Sequence, residues 1–584
     1  GIRFMSRLYE QLNTPTKERG GRDLILLALL FGFLFFGSLG SAPLIDPDEG
    51  RYAEIPREML EQRDFVTPTL NYVKYFEKPP LLYWLNAGSM SLFGKNEFAA
   101  RFPSALAGLC TILLTYATGR RIFNRRTAMI AALILGTSTG FFLQSRIILT
   151  DMLLTFCLSA ALFSFLKASG GKGPASRRSY WLFFLCCGLA MLTKGLIGIV
   201  LPAGIIFWFV LLGKRWQLLR EIPWGSGLLC FAAITVPWFM LVSRANPEFP
   251  YFFFIHEHFQ RYTSTVHHRS QPFWFFVPIL LLCLFPWSLF LWGSLKRAWQ
   301  QHYRGKNDAP LFLLVWPIVI LLFFSFSSSK LIPYILPTLP PLALLIAHRL
   351  AIPRHAPRSE ASLAHYTLAL LLLVVGTALA LLPLMTWLPP LLHQSGQTGR
   401  ELAAMLTGPD PIITLHQTMP PGTVMLVIGL LLLWTARIRS NTLMLGLLCC
   451  FGILLELAAA WGFSQYAAGR LSTRALAEVA LRHLRPDTVL VQSGPRQSMN
   501  FYTGKRLITT GDPDELSFGS KQGDQRDWFI DQAQFVELWR SPRHVLFVMP
   551  RHEIKRYDTV IPGFSNHLLA DTGSLVLLSN RSTP

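Results

Sequence analysis

Two carboxylates stand out by their setting. Asp151 lies between the apolar runs RIILT and MLLTF, and Asp48 follows the first long apolar run, in LIDPDEGRYAEIPREML. Ionised groups beside hydrocarbon are costly and mark functional positions in membrane proteins. Cations and phenols recur in the same kind of segment: Arg51 and Tyr52, Tyr75 and Lys78 in YFEKPP, Lys194 in LTKG, Arg261 in IHEHFQRY, and Lys330 and Tyr334 in SSSKLIPYILP. Cations hold phosphate, and carboxylates hold sugar hydroxyls, amines or a metal. Together they suit a substrate with an anionic head and a greasy tail. Plainer readings stand beside these. Asp46, Asp48 and Glu49 could form a solvated turn with Pro47, and Asp151 could cap a helix with Thr150. Glu77 and Lys78 could be an interfacial ion pair, and Lys194 could snorkel to the interface. His256, Glu257 and His258 could bind a metal, but their spacing fits no common zinc template.

The elements that must carry these residues are membrane helices. The 584 residues are 51% hydrophobic and only 15% charged, against about 25% charged in a soluble domain. Thirteen apolar spans fall between residues 24 and 462, each near the roughly 20 residues a bilayer requires. The first reads as an uncleaved helix rather than a signal peptide. The net charge of +21 is not a nucleic-acid signature, because its excess sits in alternate short loops such as Arg120/Arg121/Arg125/Arg126 and Lys214/Arg215/Arg220. That alternation makes those loops and the N-terminus cytoplasmic, and it places the candidate site and the C-terminus outside. Within the outer segment 43–99, RYAEIPREMLEQ and LLYWLNAGSMSLFG read as helices lying along the membrane surface. Pro333, Pro337, Pro340 and Pro341 should bend the tenth span. Glu456, deep in the last span, reads as meeting a packing or hydrogen-bond need.

The chain thus divides into a membrane domain, 1–462, and a small extracytoplasmic α/β domain, 463–584. In the latter Ser472 is a candidate N-cap for LSTRALAEVALRHL, and DTVLVQS, RHVLFVMP and SLVLLSN read as strands. It has no GxGxxG or GxxxxGK[ST] string, and no nucleotide cofactor is expected. The eight cysteines all lie in apolar segments, so no disulfide framework is expected.

PDEGRYAEIPREML, YFEKPP, Asp151, LTKG, IHEHFQRY, HRSQPFW and SSSKLIPYILP, in that order over residues 46–341, resemble the lipid A aminoarabinose transferases. These belong to the membrane glycosyltransferase class that includes the protein O-mannosyltransferases. The resemblance implies a mainly α, polytopic bundle acting as an inverting pentosyltransferase in a Gram-negative inner membrane. It would move 4-amino-4-deoxy-L-arabinose from undecaprenyl phosphate to lipid A phosphates at the periplasmic face. Each added ammonium lowers lipid A's negative charge and with it the attraction of polymyxin and other cationic peptides. On this reading Asp48 and Asp151 position the donor and stabilise an oxocarbenium-like centre or the sugar ammonium. Arg51, Lys78, Lys194, Arg261 and Lys330 would neutralise phosphate. Tyr52 and Tyr75 join the substrate-binding set, and Tyr334 would help hold the prenyl chain. Glu77 with His258 would hold a divalent metal, if one bridges to the donor phosphate. Membrane lipid is the other expected partner, and a monomer is expected. A related enzyme with another sugar or a protein hydroxyl acceptor is the alternative; a transporter or flippase fits less well, because no internal repeat is visible.

Overall fold

The computed structural model describes residues 19–171, 173–260, 271–303, 308–351, 360–381, 419–438 and 440–581. It is mainly helical. Among the described residues seven helices are long and apolar enough to cross a membrane, or nine if each of two bent pairs is one span. The expected span 127–143 is the pair Arg125–Gly136 and Thr139–Ser145, bent by 64°, and 272–295 is broken by 115° after Cys283. The tenth begins as a 3-10 segment, Ile332–Thr338, before the helix Leu339–Leu350. Its prolines remove N–H groups that an α-helix needs. The last apolar helix runs on past residue 462 to Arg470.

Both segments expected to lie along the membrane surface are helices, Asp48–Gln62 and Leu81–Phe93. The first opens with Asp48 and Glu49, whose charge suits a helix N-terminus. Proline repair ties the second to its neighbours. Pro56 has no N–H for the carbonyl of Tyr52, and Asn86 donates to that oxygen at 3.2 Å. Pro103, inside Glu97–Ile122, frees the carbonyl of Ala99, and the Ser89 hydroxyl takes it at 2.6 Å. Two polar side chains of one short helix thus satisfy what two prolines expose.

The C-terminal sheet has six strands: β3 (Thr488–Ser493), β4 (Ile508–Thr510), β5 (Phe529–Ile530), β6 (His544–Pro550), β7 (Leu568–Asp571) and β8 (Leu575–Ser579). A two-stranded hairpin of β1 (Thr69–Leu70) and β2 (Val73–Lys74) precedes them in the outer segment. The order is β5-β4-β3-β6-β8-β7, parallel from β5 to β6 and antiparallel beyond. The three central strands β3, β6 and β8 match the expected runs; β4 is a short strand between β3 and β5, and β5 and β7 are the short edges. The helix after the bundle starts at Arg474 with Thr473 in the cap position, not Ser472. The Thr473 hydroxyl bonds Ser498, while Ser472 Oγ still accepts the Arg474 N–H at 3.2 Å.

This domain docks on the segment 43–99. Asp46 accepts the Ser498 N–H at 2.9 Å and also the Ser498 hydroxyl. Asn71 exchanges hydrogen bonds with the Leu507 backbone at 2.8 and 3.0 Å. Tyr502 donates to Glu97 and accepts the Leu44 N–H. Gly50 lies where a Cβ would stand 2.4 Å from the Ser498 nitrogen, so only glycine permits this approach.

Candidate active site

Asp151 opens the helix Thr150–Ser169, and Lys194 ends Pro174–Lys194. Lys194 Nζ donates to Asp151 Oδ1 at 2.5 Å, with both side chains buried, and lies 4.5 Å from the centre of the Tyr334 ring. Three candidates scattered over 184 positions therefore meet. Asp151 sits in the first helical turn rather than in the cap, which Leu149 occupies.

The second group lies on Asp48–Gln62. Arg51 pairs with Asp48 on its own helix and with Glu515 of the C-terminal domain. The Arg51 guanidinium lies 4.9 Å from the Tyr52 ring and 6.0 Å from that of Tyr75. Tyr52 stacks on Tyr83, and its hydroxyl is within electrostatic reach of Asp48, Glu77 and Asp151, which links the two groups. Burial raises the Glu515 carboxyl to about 7, with Arg51 pulling the other way. Glu515 and Tyr83 were not candidates in the sequence. Glu515 belongs to a domain without a recognisable motif, and only folding brings it to Arg51.

Four buried polar atoms here, Arg51 Nε, Tyr75 Oη, Tyr83 Oη and Glu515 Oε1, have no hydrogen-bond partner among the described groups. Each such orphan costs about 1–3 kcal/mol unless a ligand or water satisfies it. A hydroxyl- and phosphate-bearing substrate would supply partners of the right kind.

Lys330 is buried and donates to the Ser327 carbonyl at 2.7 Å; Lys78 donates to the Glu77 carbonyl at 3.0 Å. Arg261, His267 and His268 lie outside the described residues. The backbone of His256, Glu257 and His258 belongs to a π-helix, Tyr251–Gln260, whose side chains from 256 on are also outside them. Among the described residues no three His, Cys, Asp or Glu side chains gather as a metal set.

Neighbouring acids take structural places. Glu49 is fully buried, receives Arg101 at 2.8 and 2.6 Å, and accepts the Ile45 and Ile148 N–H groups. Glu456, in the last apolar helix, is buried, and neither of its oxygens is hydrogen-bonded among the described groups.

A helical bundle with paired carboxylates and cations beside a docked C-terminal domain fits a membrane glycosyltransferase of the lipid-linked-sugar type. Comparisons agree and narrow it. A family model described as dolichyl-phosphate-mannose-protein mannosyltransferase matches residues 24–253, and one described as aminoarabinose transferase C-terminal domain matches 476–579. The undecaprenyl phosphate-alpha-4-amino-4-deoxy-L-arabinose arabinosyl transferase of Erwinia tasmaniensis is 34% identical over 390 residues, 66% of this chain and 69% of that one. Its namesake in Aeromonas hydrophila is 38% identical over 325 residues, 55% of this chain and 58% of that relative's length. The crystal structure of ArnT from Cupriavidus metallidurans bound to undecaprenyl phosphate superposes with a TM-score of 0.81 at 28% identity, covering 96% of this chain and 98% of that one. The archaeal oligosaccharyltransferase AglB from Archaeoglobus fulgidus shares the fold alone, with a TM-score of 0.51 at 16% identity over 93% of this chain and 70% of that one. The chain belongs to the family of the undecaprenyl phosphate-aminoarabinose arabinosyl transferases.

Proposed function

We propose that this chain transfers 4-amino-4-deoxy-L-arabinose from undecaprenyl phosphate to lipid A phosphates, at the periplasmic face of a bacterial inner membrane. The observation that carries this reading is the pair of carboxylate–cation groups, Asp151–Lys194 and Asp48–Arg51–Glu515, beside four unsatisfied buried polar atoms. The acceptor phosphate oxygen forms a bond to the anomeric carbon as the bond to the undecaprenyl phosphate oxygen breaks, inverting that carbon. Undecaprenyl phosphate leaves with the electron pair. A phosphate acceptor is already anionic near neutral pH, so the site needs charge placement more than a strong base.

Lys194 and Arg51 neutralise phosphate, with Lys78, Lys330 and Arg261 in support. Asp151 receives the sugar ammonium, and Asp48 stabilises the oxocarbenium-like centre. Tyr52 and Tyr75 bound the sugar, and Tyr334, beneath Lys194, borders the prenyl path. Asp48 already engages Arg51, which supports an electrostatic role over proton removal from a hydroxyl acceptor. Glu77 with His258 is the pair for a divalent cation at the donor phosphate. Thirteen crossings, a cytoplasmic N-terminus and a monomer complete the reading.

The test is transfer in proteoliposomes holding undecaprenyl-phosphate aminoarabinose and lipid A, with product masses read by spectrometry and a chelator arm for the metal. Lipid A should gain one aminoarabinose, and the Asp151→Asn protein should yield none. A folded wild type that ignores this donor and consumes another polyprenyl sugar would overturn the substrate assignment.

A further inference from the structure

The C-terminal domain contains a cleft of about 860 Å³ at the N-terminal ends of β3 and β4, well within the size of small-molecule sites. Arg485, Lys505, Arg506, Arg526 and Arg543 line it, against one lining carboxylate, Asp527. Arg526 is occupied by Asp524 at 2.8 Å. Arg506 is different. Its guanidinium lies 4.1 Å from the centre of the Trp528 ring, one terminal nitrogen donates to Gln525 at 2.6 Å, and its buried Nε has no acceptor among the described groups. Arg485, Lys505 and Arg543 are exposed at the rim. Like charges converging on one concavity repel, and a polyanion would turn that repulsion into binding. Guanidinium forks match phosphate oxygens bidentately.

The cleft also adjoins the membrane domain. Arg506 lies 6.0 Å from the Tyr72 ring in the hairpin turn between β1 and β2, and Arg57 lies 5.8 Å from that ring. Arg57 shares the helix Asp48–Gln62 with Asp48 and Arg51, about two turns further on. A volume of this size exceeds the need of one inorganic phosphate and suits a phosphate carried on a saccharide.

We propose that this cleft is a second anion site, one that docks the phosphorylated saccharide headgroup of the acceptor away from the reacting phosphate. The proposal rests on the acceptor being a phosphorylated glycolipid, as proposed above. Headgroup phosphate and free phosphate share this chemistry, so the experiment separates them.

Full-length protein in nanodiscs is titrated with a deacylated glucosamine disaccharide bisphosphate, and separately with inorganic phosphate. Both titrations use an Asp151→Asn/Lys194→Met background, which removes the membrane-site cation without leaving a buried unpaired charge. Lys505→Glu/Arg543→Glu, at exposed positions, should weaken disaccharide binding by about tenfold or more and leave the melting temperature unchanged. In the otherwise wild-type enzyme the same pair should raise KM for lipid A and leave kcat unchanged. Binding of inorganic phosphate as tight as that of the disaccharide would keep the anion site and overturn the headgroup as its occupant. Disaccharide binding and KM both indifferent to the charge reversals would overturn the site itself. Transfer activity is a separate readout: a protein that binds the disaccharide through these cations yet transfers no aminoarabinose would refute the proposed reaction and not the cleft.

Discussion

Asp48 and Glu49 are adjacent on one helix and live in opposite surroundings. Glu49 is fully buried, holds Arg101 through both oxygens and accepts two backbone N–H groups. Asp48 has 48% of its side chain exposed and engages Arg51, whose Nε still lacks a partner. Arg101 is spent in the same way as Glu49: its remaining N–H groups, both on Nη1 and one on Nη2, donate to the carbonyls of Leu39, Ala42 and Pro43. A charge closed in by backbone partners is scaffold, fixing the chain that leaves the first helix against Glu97–Ile122. A charge left half open, beside a cation with spare donors, is available to a ligand.

Substitutions can break this contrast in order of size. Glu49→Gln leaves the Arg101 guanidinium buried without its counter-charge, which costs about 3–5 kcal/mol. The protein should then melt much earlier and lose activity through loss of fold, as thermal unfolding in detergent would reveal. Wild-type melting would erase the distinction between the two acids. Asp151→Asn unpairs Lys194 at a comparable cost. Asp151→Asn/Lys194→Met removes both charges and should recover most of the stability while transfer stays absent. Recovery of transfer in that double variant would show the pair to be scaffold as well.

Glu515→Gln sharpens the comparison from the C-terminal domain. Arg51 keeps Asp48 but loses its second anion, so KM for the donor should shift by about tenfold or less, with the domain still docked. The smallest effect is on pH. Burial holds Glu515 near 7 and Asp46 near 6, both above ordinary carboxyl values. A raised folded-state value means that the fold takes up the proton. The stability these groups contribute is therefore complete below about 4 and declines as pH climbs through 6 and 7. Melting temperature should fall between pH 5 and 8, and the upper part of that fall should flatten in Glu515→Gln. A melting temperature rising over that range would contradict the assignment.

Much of this was legible in the sequence because water and hydrocarbon sort residues strongly. Asp151 and Lys194 attract notice as charges in apolar runs, and β3, β6 and β8 as short β-branched runs. What sequence does not carry is pairing. Asp151 meets Lys194 because two helix ends converge, and nothing in LTKG names its partner. Asp48 and Glu49 are indistinguishable as letters, since Arg101 and the Ile148 N–H come from distant elements. Glu515 stands in DPDELSFG with no periodic or motif signal, and the short strands β4 and β5 are set by their neighbours' register. The bends in the spans at 127–143 and 272–295 were hidden because hydropathy records length and not direction.

The most direct test sets Asp48→Asn beside wild type in proteoliposomes, measuring melting and aminoarabinose transfer to lipid A on the same preparations. Melting should be unchanged, since Asp48 is half exposed and Arg51 keeps Glu515, so the pair is worth at most about 1 kcal/mol, while transfer falls by about a hundredfold or more. Near-wild-type transfer by the folded variant would contradict the role proposed for Asp48.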